Sequence, residues 1–173
     1  MRRILFAILA FVCVAFACVS CDTKPRSTPQ MYNVSQLVRT RSVTVLDTVS
    51  LQDTVIFVQD TISLQDTLNV GDTVRMTLFA NGLYNYLNAL TVAANSDVNV
   101  SLEWSDELAD CLASDADPAK GRLLFVAEKV YAFTTVLRYI PLRSGKYRID
   151  MQLSSDAGEP YSPAQYYFEI NVR

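Results

Sequence analysis

The chain has 173 residues, half of them apolar, with 15 basic and 18 acidic side chains and a formal net charge of −3. A mildly acidic surface repels phosphate backbones, which argues against a nucleic-acid partner. Histidine is absent, and with it go the commonest general base, the commonest zinc ligand and every catalytic triad built on imidazole.

The chain starts with Arg2 and Arg3, continues as an unbroken apolar run over residues 4–19, and then reads Ser20-Cys21-Asp22-Thr23-Lys24. A basic flank before an apolar run too short for the roughly 20 residues of a membrane span is a secretory signal. The small residue directly before a cysteine resembles the signal of bacterial lipoproteins, and the resemblance implies cleavage after Ser20 and acylation of Cys21. Cys18 stands where that family usually has Leu, and Ala17-Cys18 offers an alternative lipidation site. Cys21 is favoured because polar residues begin immediately after it. On this reading residues 1–20 are a lipoprotein signal peptide whose loss removes Arg2 and Arg3 and brings the net charge to −5. Each buried methylene of the acyl chains contributes about 0.8 kcal/mol to membrane attachment. Cys13 and Cys18 leave with the signal and Cys21 carries lipid, so Cys111 has no partner for an internal disulfide.

Residues 21–42 read as a flexible tether. Pro25, Pro29, Ser27, Thr28 and Gln30 dominate its start, a composition that spaces a folded part from a bilayer without itself folding.

From Val43 the chain becomes repetitive, and residues 43–61 read as a repeat stalk or edge strands. Five Asp-Thr pairs begin at residues 47, 53, 60, 66 and 72, and residues 50–54 recur identically as residues 63–67. β-Branched residues alternate with polar ones, which is strand chemistry at period 2. The spacings are 6, 7, 6 and 6, so the single odd interval moves the pattern to the other face and predicts a bulge or turn near Asp60. A short β-solenoid and a calcium-binding β-roll both fit poorly, because the stretch is brief for the first and has only Gly71 for the second. Two readings fit better and can coexist. In one the pairs are strand ends, with Asp and Thr helping the chain to turn. In the other, each Asp-Thr precedes Val, Ile or Leu and so resembles the acceptor sites of general O-glycosylation in Bacteroidetes envelope proteins. That resemblance marks Thr48, Thr54, Thr61, Thr67 and Thr73 as O-glycosylation candidates, and lipoproteins of that group carry similar stalks behind the lipid cysteine.

Residues 62–173 read as a β-sandwich. Leu64, Leu68 and Val70 lead through Gly71 to Val74, Met76 and Leu78, two strands joined at a glycine. Further strands are predicted over 90–94, 98–104, 122–127, 130–140, 146–153 and 165–173, separated by turns at Asn95-Ser96-Asp97, Asp117-Pro118, Ser144-Gly145 and Ala157-Gly158. Ile140-Pro141-Leu142-Arg143-Ser144-Gly145-Lys146-Tyr147 resembles the tyrosine corner of immunoglobulin-like domains, which implies that the Tyr147 hydroxyl bonds to backbone upstream. The inter-sheet disulfide of antibody domains is missing, and Trp104 is expected to be a core aromatic. The fold class is therefore all-β, an Ig-like antiparallel β-sandwich with one short helix, preceded by a signal peptide and an extended tether.

The helix is expected over 105–113, with Ser105 as cap, Asp106 and Glu107 in the first turn, and Leu108, Cys111 and Leu112 on one face. Cys111 is then a small buried hydrophobe rather than a nucleophile. Glu103, Asp106, Glu107, Asp110, Asp115 and Asp117 form an acidic rim. Asp115 and Asp117 are its candidate cation ligands, but a calcium-hand loop begun at Asp115 places Lys120 where Gly is needed and Val126 where Glu is needed.

No catalytic residue, metal centre or cofactor is assigned. The expected protein is a non-enzymatic envelope lipoprotein of the outer membrane, a binding or structural module whose partners are the membrane, through lipid, and an envelope protein or glycan. The alternatives are a fimbrial or other surface-assembly subunit using strand exchange over residues 43–58, and a glycan-acting catalytic accessory built on the acids.

Overall fold

The computed structural model describes residues 24–46 and 53–173. The expected signal peptide, both candidate lipidation cysteines and Thr48 lie outside them.

Among the described residues, eleven strands make two facing sheets. The first has the order β3 (Asp53–Ile62), β2 (Leu37–Leu46), β5 (Thr73–Asn81), β9 (Ala132–Pro141), β7 (Val98–Trp104), with β1 (Gln30–Asn33) also pairing β5. The second has the order β4 (Thr67–Leu68), β11 (Ala164–Val172), β10 (Gly145–Ser155), β6 (Leu87–Ala94), β8 (Arg122–Leu124). All pairings are antiparallel except β4 with β11. The neighbours β2-β5-β9-β7 and β11-β10-β6 reproduce the two-sheet order of immunoglobulin sandwiches, so the chain is an Ig-like β-sandwich. The strand β8 departs from a simple version of that order: it follows β7 in the chain yet lies at the edge beside β6.

Period-2 alternation fills the space between the sheets. Val74, Met76, Leu78 and Ala80 of β5 and Phe133, Leu137 and Tyr139 of β9 face Leu90 and Val92 of β6, Ile149, Met151 and Leu153 of β10, and Phe168, Ile170 and Val172 of β11. Ile149 follows Tyr147 by two residues, the place of the second disulfide cysteine in antibody domains, and is wholly buried. An aliphatic side chain thus serves where a covalent bridge would stand. Burial pushes the Tyr139 hydroxyl well above its ordinary range, and its ring packs against Phe168 at 5.6 Å. Tyr147 is half-buried at the start of β10, and its hydroxyl donates to the Ser144 carbonyl at 3.1 Å, the upstream bond expected of the corner. Gly145 has φ +150°, and a Cβ there would sit 3.1 Å from the Tyr147 hydroxyl oxygen, so the corner calls for glycine twice over.

Several expectations need correction. Residues 24–42 are not a free tether: β1 and the start of β2 lie within them and pair β5. Pro29 is buried, its carbonyl accepts from the Tyr166 hydroxyl at 2.9 Å, and the same hydroxyl accepts from the Met31 amide at 3.1 Å. Backbone bonding of this kind leaves no trace in composition. The segment before Gly71 does not form a hairpin with β5, because β4 joins the opposite sheet, beside β11. No bulge occurs near Asp60: β2 and β3 pair without interruption from Leu37↔Ile62 to Leu46↔Asp53. The odd spacing acts on side chains alone, placing Asp60 directly across from Arg39, which bonds its carboxylate. The helix is shorter than expected, α1 spanning Asp106–Ala109, and Ser105 occupies its N-cap without a side-chain capping bond. Leu108 is buried, and Cys111 and Leu112 pack half-buried against the core.

Candidate functional site

The Asp-Thr repeat forms both turns and an arm. At two of its pairs the aspartate closes a four-residue turn and the threonine opens the next strand. Asp66 Oδ2 accepts from the Ser63 amide at 2.7 Å ahead of β4, and Asp72 Oδ2 accepts from the Asn69 amide at 2.8 Å ahead of β5. Thr67 is exposed and Thr73 half-buried, the strand-end role expected for these two.

The preceding pairs lie on the β2–β3 hairpin. β2 pairs β5 only at Val38, Thr40 and Arg39, opposite residues at the very start of β5, so residues 41–46 run past the end of β5 with β3 as their sole described neighbour. Six strand residues rise about 20 Å, and the hairpin is therefore an arm projecting from the sandwich. β3 is the sheet edge, with no described strand on its outer side. Phe57 on that strand is 77% exposed, and Val55 and Ile56 beside it are exposed as well. Thr61 is exposed near the root of the arm; Thr54 is the second residue of β3.

The arm is held at its root by charge. Arg39 donates through Nε to Asp60 Oδ1 at 2.9 Å and through Nη2 to Asp60 Oδ2, and its Nη1 lies 3.9 Å from Asp72 Oδ2. The arginine is 13% exposed and Asp72 only 3%. The Arg39 hydrogen bond holds the Asp60 carboxyl below its ordinary value, and the same bond raises the guanidinium. These contacts tie β2 to β3 and to the turn before β5 at the root of the arm, beside the backbone pairing of β2 with β5.

The acidic rim does not converge. Glu103 pairs with Arg75, Asp115 with Arg122 at 3.5 Å and Asp117 with Lys120 at 3.1 Å. The candidate cation ligands Asp115 and Asp117 thus answer separate basic side chains. Among the described residues no group of three His, Cys, Asp or Glu side chains could hold a metal ion. Trp104 is not a core aromatic: at the end of β7 it is 43% exposed and lines an open cleft of about 650 Å³ with Glu107, Lys129 and Tyr131. Trp104 is the last residue of β7, so the strand carries no further residue to flank its ring.

A cluster that sequence periodicity could not find lies at the end of the sandwich opposite the arm. The ring of Tyr131 stacks on Tyr86 with centroids 4.0 Å apart, Lys24 Nζ lies 4.4 Å above the Tyr86 ring, and Tyr131, Leu83, Tyr84, Lys24 and Pro25 line one shallow cleft. Asn85, buried in the β5–β6 turn, donates to the Pro25 carbonyl at 3.3 Å and to Ser27 Oγ at 3.0 Å. These residues sit in loops, where aromatic side chains follow no period.

No protein-family model matches the chain, and no curated protein matches it. Among solved structures it is similar to the ASH/PapD-like domain 7 of human CEP192, at 12% identity over 89% of this chain and 90% of that one, with a TM-score of 0.34. It is similar to domains 4 and 5 of the S-layer protein SbsC, at 14% identity over 69% and 58% of the two chains, with a TM-score of 0.34. AvmM, a macrocyclisation catalyst of alchivemycin A biosynthesis, shares 14% identity over 65% and 87%, with a TM-score of 0.37.

Proposed function

We propose that this is an outer-membrane lipoprotein, attached through Cys21, whose sandwich acts as a non-catalytic platform displaying the β2–β3 arm to an envelope protein or glycan partner. The observation that carries this reading is polarity. β1 enters the sheet with Gln30 opposite Asn81, the last residue of β5, whereas the arm leaves it beside Thr73, the first. A chain tied down through its start therefore holds its arm away from the membrane. The arm exposes apolar side chains at an unpaired sheet edge, both of which are features of interaction surfaces. Strand donation by residues 43–58 is less favoured, because this segment already pairs with itself across the hairpin. A glycan-acting catalytic role is less favoured because Glu103, Asp115 and Asp117 each face a cation. Exposed Thr61 and the neighbouring Thr48 and Thr54 remain the O-glycan acceptors we propose.

The test pairs two variants expressed in the native host. Cys21→Ser should move the protein from the membrane fraction to the soluble one; retention with acylation, combined with release of Cys18→Ser, would move the lipid to Cys18. Phe57→Asp should leave the unfolding midpoint unchanged yet dissolve a high-mass envelope complex on native gels. A wild-type protein that migrates as a lone monomer there would refute the binding reading.

A further inference from the structure

We infer that the end of the sandwich formed by Leu83, Tyr84, Tyr131 and Lys24 rests in the phospholipid headgroup layer of the membrane that anchors the chain. The inference builds on the proposed lipid at Cys21. Only three residue steps separate Cys21 from Lys24, and a fully extended chain spans at most about 3.6 Å per residue, so Lys24 stays within about 11 Å of the acylated cysteine. The bilayer's headgroup region on each side is about 5–8 Å deep, from a hydrocarbon core of about 30 Å within a total of about 40–45 Å. A segment docked as residues 24–29 are, by Asn85, by Tyr166 and by the cation–ring contact at Tyr86, cannot act as a spacer. The domain must then sit directly on the lipid surface, with this end against it.

The side chains presented there suit that surface. Tyr84 is 61% exposed, and Leu83 and Tyr131 are exposed beside it. An exposed leucine and two tyrosines in one cleft are costly in water and favourable at a headgroup boundary, where an aromatic ring buries its body and wets its hydroxyl. Lys24 belongs to the same cleft, and Lys129 and Glu107 to the adjoining one, while Glu128 acts on Tyr86 from nearby. Charge of both signs means that the rings, rather than a net positive field, supply the attraction. Zwitterionic lipid is therefore the matching surface.

The test uses the mature acylated protein reconstituted into phosphatidylcholine vesicles. Nitroxide labels are placed at Tyr84→Cys and, separately, at Phe57→Cys on the arm, both in a Cys111→Ala background. Unchanged emission of Trp104, the chain's one tryptophan, establishes that the labelled proteins are folded. The ratio of collisions with dissolved oxygen to collisions with an aqueous nickel complex should be several-fold higher for the label at 84 than for the label at 57, which should match a label in bulk water. Vesicles that float with the protein while the label at 84 behaves like the label at 57 would overturn this inference and leave the anchor intact; another partner would then cover the cleft. Failure of the protein to float with vesicles would overturn both.

Discussion

Replacing Arg39 by Met keeps the aliphatic stem and removes the guanidinium that joins the arm to the sandwich. Two charged hydrogen bonds to Asp60 are lost, along with the 3.9 Å ion pair that Arg39 makes with Asp72. Hydrogen bonds to charged groups contribute about 1.5–3 kcal/mol each, and breaking a fully buried pair costs about 3–5 kcal/mol. Asp60 is 32% exposed, so water takes over part of what it loses, whereas Asp72 keeps only the amide and side-chain donors of Asn69. The expected destabilisation is about 2–3 kcal/mol at pH 7, read as a lower urea midpoint with an unchanged slope. The effect depends on pH with a definite sign. The Asp60 carboxyl is held below its unfolded value, so its stabilisation is complete above about pH 4 and is lost as pH falls through the folded value. The difference between wild type and Arg39→Met should therefore shrink below about pH 4. A loss under about 1 kcal/mol at pH 7, or a difference that stays constant down to pH 2.5, would refute the ionic account of the arm's root.

Gly82→Ala should destabilise by more than about 2 kcal/mol and abolish the β5–β6 turn, because the new Cβ would fall 2.0 Å from the backbone oxygen of Asn85; thermal unfolding reads this, and a neutral variant would contradict the packing of that turn. Tyr147→Phe should cost about 0.5–1 kcal/mol in urea unfolding for its bond to Ser144, which lies near solvent; no change would demote the corner to coincidence. Intact-mass measurement of protein from its native host should show sugar-sized increments that disappear in the Thr48→Ala, Thr54→Ala, Thr61→Ala triple variant, and an unmodified wild-type mass would leave the repeat as strand and turn chemistry.

The strands from β5 to β11 were legible because each packs one face against the core, which writes period 2 directly into residues such as Val74, Met76 and Leu78 or Ile149, Met151 and Leu153. The corner at Tyr147 was legible because a turn glycine, a tyrosine and an alternating run occur in a fixed order. Residues 24–33 misled for a physical reason. Their attachment runs through the Pro29 carbonyl, the Met31 amide and the Pro25 carbonyl, groups that every residue possesses and that composition cannot register. At Asp60 the odd spacing pointed to a bulge, but the outcome depended on Arg39, 21 positions away, which gives the carboxylate a partner across an uninterrupted pairing. The aromatic cluster around Tyr131 escaped because Lys24, Tyr86 and Tyr131 come from three separate loops that only the folded chain brings together.

The free edge of β3 has a consequence for crowding. A long exposed strand with Val55, Ile56 and Phe57 in succession is the sort of template on which identical chains stack. Antiparallel pairing, the more stable kind, of β3 with its counterpart in a second molecule requires one of the two to stand on its head. If the chains are anchored as proposed, neighbours in a common bilayer all stand upright, so that mode of mutual recognition is closed to them however densely they are packed. It opens only between molecules facing each other across a gap, or for chains that have lost their footing, and there the same edge becomes adhesive.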